Sequence, residues 1–285
     1  MLVSDFANPL YARIISAVEA RLAASGTALL LASTHNDRQR EKSLVDLFRR
    51  RRVDGLILGP CESESPEYLE RLAAGLPFVA LDRDFEGEHA GVHVDHYQGA
   101  FQATRYLLNM GHTRIALMTP AGVLRPGRER IAGFTDAFAE RGVPLDPKLV
   151  RAEKSAMDFA FSEALALLGS HDAPTAFLCL GTRILSGVLM ALRHSGRSVP
   201  DDVSVISIGD TDLSQLSSPA TPSLTWALPR VGPPAPDLLL SRLARNTPPE
   251  HERILLTTQL VMRESCAVAG RSVASTKKPL ARRPA

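Results

Sequence analysis

One unit recurs along the 285-residue chain: an apolar helix, a glycine, a short gap and an apolar, β-rich strand. The first copy has a helix at 10–25, Gly26 and a strand at 28–32. A helix around 41–51 then precedes a strand at 53–58, and a helix at 68–74 with Gly75 precedes a strand at 78–81. The fourth runs 100–110, Gly111 and 115–118. The pattern returns at 131–141 with Gly142, at 161–168 before 176–178, and at 184–195 with Gly196 before 203–206. Glycine after a helix supplies the left-handed closing residue. Runs apolar on both faces belong to parallel strands with helices on each side. Alternating units of this size predict an α/β fold of the doubly wound kind. The strands are too many for one modest sheet, so two similar lobes are expected, each a parallel sheet flanked by helices.

The chain opens with Met1-Leu2-Val3, which reads as the tail of a buried strand, and runs straight into Ser4–Tyr11 and an amphipathic helix. Asn8 suits the N-cap and Pro9 the first helical position, where a missing N–H has no intrahelical partner. The expectation is a domain that starts one strand in, without whatever would precede that strand. A hydrophobic content of 45% is enough for a sizeable core, and a net charge of +2 gives no global basic field for nucleic acid or an anionic membrane. Three scattered cysteines, Cys61, Cys179 and Cys266, suit reduced thiols rather than a disulfide framework. With no leader and no apolar run of membrane-spanning length, the expected location is the cytoplasm. Residues 231–236 (Val-Gly-Pro-Pro-Ala-Pro) form a stiff spacer before a short helix at 237–245, and residues 266–285 read as a disordered tail.

Several segments together resemble the effector-binding core of the LacI/GalR (lactose-repressor/galactose-repressor) family of bacterial transcription regulators. They are Asp5-Phe6-Ala7-Asn8-Pro9, Arg51–Leu58, Gly75–Val79 with Asp82-Arg83, Gly111-His112-Thr113-Arg114-Ile115-Ala116, Arg128–Phe134, Val199–Val205 and Leu260–Ser265. Each alone is weak; in this order over about 265 residues they are specific. The resemblance implies the two-lobed fold of periplasmic sugar-binding proteins. It places residues 1–108 with 224–245 in the first lobe, and 109–223 with 246–265 in the second. It also implies a homodimer, with the helix at 41–51 (apolar Leu44, Leu47 and Phe48) and the segment 68–72 as first-lobe contacts. Operator DNA is expected as a partner only where a helix-turn-helix headpiece is joined to the core, since that headpiece reads the bases. This chain departs from the family in three places. Gly181-Thr182 stand where Asn-Asp is usual, and Gly209-Asp210 where Asp-Asp is usual. Pro233, Pro234 and Pro236 interrupt an expected helix.

The resemblance makes Arg130 the leading ligand-binding candidate, a guanidinium able to grip ligand oxygens in bidentate fashion. The competing reading is a surface arginine paired with Glu129, and Arg128 is read as surface. Leu10 and Tyr11 would line the cleft from the first lobe, with tyrosine suited to stacking on a sugar or heterocycle, or they would serve first-turn packing. Asp5 lies at the carboxyl end of the first strand, either facing the crevice where ligands bind in open α/β sheets or capping the turn. Gly181, Thr182, Gly209 and Asp210 end second-lobe strands at the same crevice, where glycines let a ligand approach the backbone or mark an eroded site. Within His93-Val94-Asp95-His96, residues 93 and 95 share a strand face, but no further ligand stands at metal spacing, so the pair reads as strand-end histidines. Arg49–Arg52 offset a helix dipole on a solvated face. No catalytic motif, phosphate loop or dinucleotide fingerprint is present, so neither a cofactor nor enzymatic activity is expected. The expected function is effector sensing and dimerisation in a LacI/GalR-type regulator, binding a sugar-like or small anionic molecule between the lobes. The alternative is a solute-binding protein of a sugar transporter.

Overall fold

Strands whose every residue is apolar and buried must be covered on both faces, and the fold meets that demand twice. The computed structural model describes residues 1–59, 61, 76–83, 90–226, 234–245 and 252–270. The first sheet holds β1 (Leu2–Val3), β2 (Ala32–Ser33), β3 (Leu56–Leu58), β4 (Phe78–Leu81), β5 (Gly91–Val94) and β11 (Arg253–Leu256), in the order β11-β5-β4-β3-β1-β2 with parallel pairings. The second holds β6 (Ile115–Met118), β7 (Val150–Arg151), β8 (Ala176–Cys179), β9 (Ser204–Ile208), β10 (Ser223–Trp226) and β12 (Thr258–Val261), in the order β12-β10-β9-β8-β6-β7. Its pairings are parallel except that β12 runs antiparallel to β10.

The period of two in the strands sorts the core into layers. Ala116, Met118, Phe177, Cys179 and Val205 face one group of helices, while Ile115, Leu117, Ala176, Leu178 and Ile206 face the other. In the first sheet Leu56, Leu58 and Phe78 join Val45 and Phe48, and Ile57, Val79 and Val92 join Val18, Leu22 and Leu239. Glycine brings two helix pairs close on the second sheet. A Cβ on Gly133 would lie 2.3 Å from the Tyr97 carbonyl oxygen, and one on Gly187 equally close to that of Met157. Gly26 (φ +74°) and Gly111 (φ +86°) are left-handed at the helix ends, as the pattern requires.

The chain passes between the sheets at Asp95, between Trp226 and Pro234, and at Thr257. These crossings differ from the expected lobe boundaries. The helix His96–Asn109 packs on the second sheet through Ala100, Ala103 and Leu107, β10 lies in that sheet, and β11 completes the first. The helix-glycine-strand rhythm is the same on either side of a crossing, so it carries no signal of one. The helix Pro234–Arg245 covers the first sheet, with Ala235, Leu238 and Leu239 in its core. Of the apolar run 28–32 only Ala32 enters the two-residue β2, and Leu30 and Leu31 stay half-exposed at the sheet edge. Residues 266–270, expected in the tail, are tied down: Ala269 N–H donates to Met110 O at 2.9 Å, and the Ala267 carbonyl accepts from His112 Nε2 at 2.9 Å. The expected helix at 68–74 and the tail from 271 lie outside the described residues, as does the spacer through residue 233.

Candidate functional site

The carboxyl ends of the strands in both sheets meet at one crevice, the place where open α/β sheets bind ligands. It holds a cavity of about 520 Å³ whose wall combines Leu10, Tyr11, Asp82 and Arg83 from the first lobe with Arg130, Gly181 and Thr182 from the second. That volume falls within the range of small-molecule sites.

Five of the eight candidate residues are on this wall: Arg130, Leu10, Tyr11, Gly181 and Thr182. Arg130 is 6% exposed and is no surface arginine. Its Nη1 donates to Leu180 O at 2.8 Å, its Nη2 lies 3.2 Å from His96 Nδ1, and its buried Nε has no hydrogen-bond partner. Burial pushes its pKa down to about 10. Glu129 pairs instead with Arg125, at 2.7 Å one helical turn away. Arg128 is exposed, as expected, and donates to Val123 O at 2.6 Å.

The other three are placed differently. Asp5 accepts the Ala7 N–H at 2.8 Å and pairs with Arg183 across the crevice at 3.0 Å, so it ties the lobes together beside the cavity rather than lining it. The Asp210 carboxylate is engaged by Arg263, and its carbonyl accepts from Arg13 Nη1 at 2.6 Å. Gly209 (φ +77°) turns the chain after β9 and gives its N–H to Leu224 O, off the cavity wall. The reason in each case is a nearby arginine or a turn that sequence separation conceals. Thr182 does reach the wall, and its hydroxyl donates to Asn8 Oδ1 at 2.7 Å, the same oxygen that caps the Leu10 N–H at 3.0 Å. Three polar contacts thus join the lobes along one side of the cleft.

A chain of polar groups that the sequence does not display runs inward from the wall, from the partly exposed Asp82 to the buried His96 and Arg130. His96 Nε2 is 2.8 Å from Asp82 Oδ2, while its Nδ1 faces Arg130. A guanidinium only donates, so Nδ1 accepts and the ring proton sits on Nε2, directed at the carboxylate. Burial, together with Arg130 and Arg125, pushes the His96 pKa down to about 4. Burial alone would raise the Asp82 carboxyl. His96, Arg83 and the Val94 N–H outweigh it and hold the carboxyl below its ordinary range. Arg125 adds an ion pair to Asp82 at 3.4 Å. The available signal was a charged pair, Asp82-Arg83, directly after a buried strand. His96 is thus no strand-end histidine: it opens the helix His96–Asn109 and is 2% exposed. Among the described residues no group of three or more His, Cys, Asp or Glu side chains could hold a metal ion, and no helix is long and apolar enough to cross a membrane.

The profile of the periplasmic binding protein-like domain matches residues 104–266. The chain is 28% identical over 269 residues to the HTH-type transcriptional regulator DegA of Bacillus subtilis, covering 93% of this chain and 79% of that protein. A crystal structure of a putative ribose operon repressor from Burkholderia thailandensis is similar with a TM-score of 0.81 at 31% identity, covering 91% of this chain and 97% of that one. A LacI family transcriptional regulator from Enterococcus faecium, solved with bound ribose, is similar with a TM-score of 0.81 at 25% identity, covering 94% and 97%.

Proposed function

The chain belongs to the periplasmic binding protein-like family, among the effector-binding cores of LacI/GalR-type transcription regulators, and from that premise we propose that it senses a small polar effector in the cleft between its two lobes. The observation that carries this reading is the cavity of about 520 Å³ walled by both sheets, with the buried Arg130 guanidinium on its wall and one Nε still without a partner. A ligand that touches both lobes at once binds one relative orientation of them better than others, and that differential affinity is what a regulator transmits. The ribose held by the Enterococcus faecium regulator supports a ligand of this size and polarity.

In this reading Arg130 holds ligand oxygens, and Leu10 and Tyr11 supply the apolar wall and a stacking face. Asp5 and Asp210 act through the contacts that tie the lobes, not by touching the ligand. The protein works in the cytoplasm as a transducer without a catalytic step. Operator contact falls to a helix-turn-helix segment where one is joined to this core, because base contacts carry sequence specificity. We further propose a homodimer. On the helix Arg38–Arg50, Phe48 is buried and Leu44 half-buried, which leaves Leu47 as the apolar contact, with sedimentation velocity as the check.

Thermal-shift screening of sugars, sugar phosphates and small acids against wild type and Arg130→Ala tests the effector reading. A stabilising ligand whose effect shrinks in the variant supports it. A ligand that stabilises both proteins equally removes Arg130 from the site.

A further inference from the structure

Three helix amino-termini are left open, and all three face the same cavity. Of the six helices of eight residues or more whose N-cap is described, three have Asn8, Asp37 and Asp95 accepting an N–H from their own first turn. The other three, Arg125–Glu140, Met157–Leu168 and Thr182–His194, begin after Leu124, Ala156 and Gly181, and none has a side-chain cap. Leu124, Ala156 and Gly181 are all on the cavity wall. An uncapped helix start presents unsatisfied N–H groups and about half a positive charge to whatever lies before it.

A second observation sits at one of these starts. Arg130 is bonded to Leu180 O at 2.8 Å, so its guanidinium lies beside Gly181, and its buried Nε lacks a partner. Asp82 and Glu153 are the acids on the wall. Asp82 is already engaged by His96 and Arg125, and Glu153 is an exposed neighbour of Lys154 at the rim. Gly181 is in extended backbone and has no side chain to shield the first turn that follows it.

We propose that the cleft is built for a small molecule carrying an oxyanion, a phosphate or a carboxylate, seated at the amino-terminal turn of Thr182–His194 beside Arg130. The inference rests on the effector reading above and narrows its ligand class. Backbone N–H groups at a helix start suit such a group, and an adjacent guanidinium shortens and strengthens the contact. A neutral sugar would leave that positive field without a counter-charge.

The test places a competing carboxylate on the protein itself. Gly181→Asp supplies an N-cap that occupies the open N–H groups, and Gly181→Ala controls for the added Cβ, which would meet the flexible end of Ile184 at 2.7 Å. Inorganic phosphate is compared with chloride at equal ionic strength, reading the melting temperature of all three proteins. Phosphate also stabilises proteins by exclusion from their surfaces, so the readout is the difference between proteins. Wild type and Gly181→Ala should respond to phosphate, and Gly181→Asp should bind it about tenfold more weakly. Ribose 5-phosphate should stabilise wild type more than ribose does, and gluconate more than glucose; the two pairs separate phosphate from carboxylate. An equal phosphate response in wild type and Gly181→Asp overturns the proposal, as does an equal loss in both variants. Ribose and glucose matching their anionic partners would overturn it while leaving the effector reading standing.

Discussion

Lowering the pH should destabilise this protein through His96. Its imidazole is 2% exposed, and with Nδ1 accepting from Arg130 and Nε2 directed at Asp82 it is neutral and fully used. Burial disfavours the charged ring, and protonation would also set a second N–H against the guanidinium, so the pKa falls from 6.5 to about 4 even though Asp82 favours the charged form. Between those values the unfolded chain binds a proton that the folded one excludes. Stability is therefore complete above the unfolded value and is lost as the pH falls towards the folded one. At about 1.4 kcal/mol per pH unit, the window of roughly 2.5 units amounts to about 3 to 4 kcal/mol. Urea denaturation between about pH 7 and about pH 4.5 should register 2 to 3 kcal/mol of this, roughly, on top of contributions from other groups. His96→Asn keeps an acceptor for Arg130 and a donor for Asp82 but cannot titrate, so it should remove that increment from the pH profile. If the wild-type and His96→Asn profiles stay parallel across the range, the buried neutral ring is refuted.

Two further substitutions probe the frame that positions the cleft. Gly133→Ala puts a Cβ 2.3 Å from the Tyr97 carbonyl oxygen and must force a packed helix pair to separate, at a cost of about 2 to 3 kcal/mol by chemical denaturation; an unchanged midpoint would contradict the close approach. Asn8→Ala removes both the cap of the Pro9–Ala23 helix and the acceptor for the Thr182 hydroxyl, and should lower stability by about 1 to 2 kcal/mol, whereas a loss below a few tenths would mean that solvent replaces both bonds.

The α/β class, the two lobes and the Asn8-Pro9 helix start were legible because they depend on local periodicity and capping, which sequence displays directly. Arg130 was legible only through the resemblance, since no local pattern separates a buried arginine from the exposed Arg128 two residues away. The departures share a cause. Asp210 and Asp5 end strands that point to the crevice, but Arg263 and Arg183 claim their carboxylates from 53 and 178 residues away, and of the two readings of Asp5 the turn cap is the contact present, at the Ala7 N–H. His96 was read as one of a strand-end histidine pair because its partners, Asp82 and Arg130, come from different lobes. The crossing at Asp95 was missed because apolar periodicity reports that a strand or helix is buried, not which sheet buries it.

The proposed effector is one small molecule that bridges both lobes in the cleft. A crystal structure of the protein grown with the compound that stabilises it most tests this directly. Ligand density should lie between the two sheets, in contact with Tyr11 and with a ligand oxygen within hydrogen-bond distance of Arg130. Density outside the cleft, or contacts confined to one lobe, would contradict it.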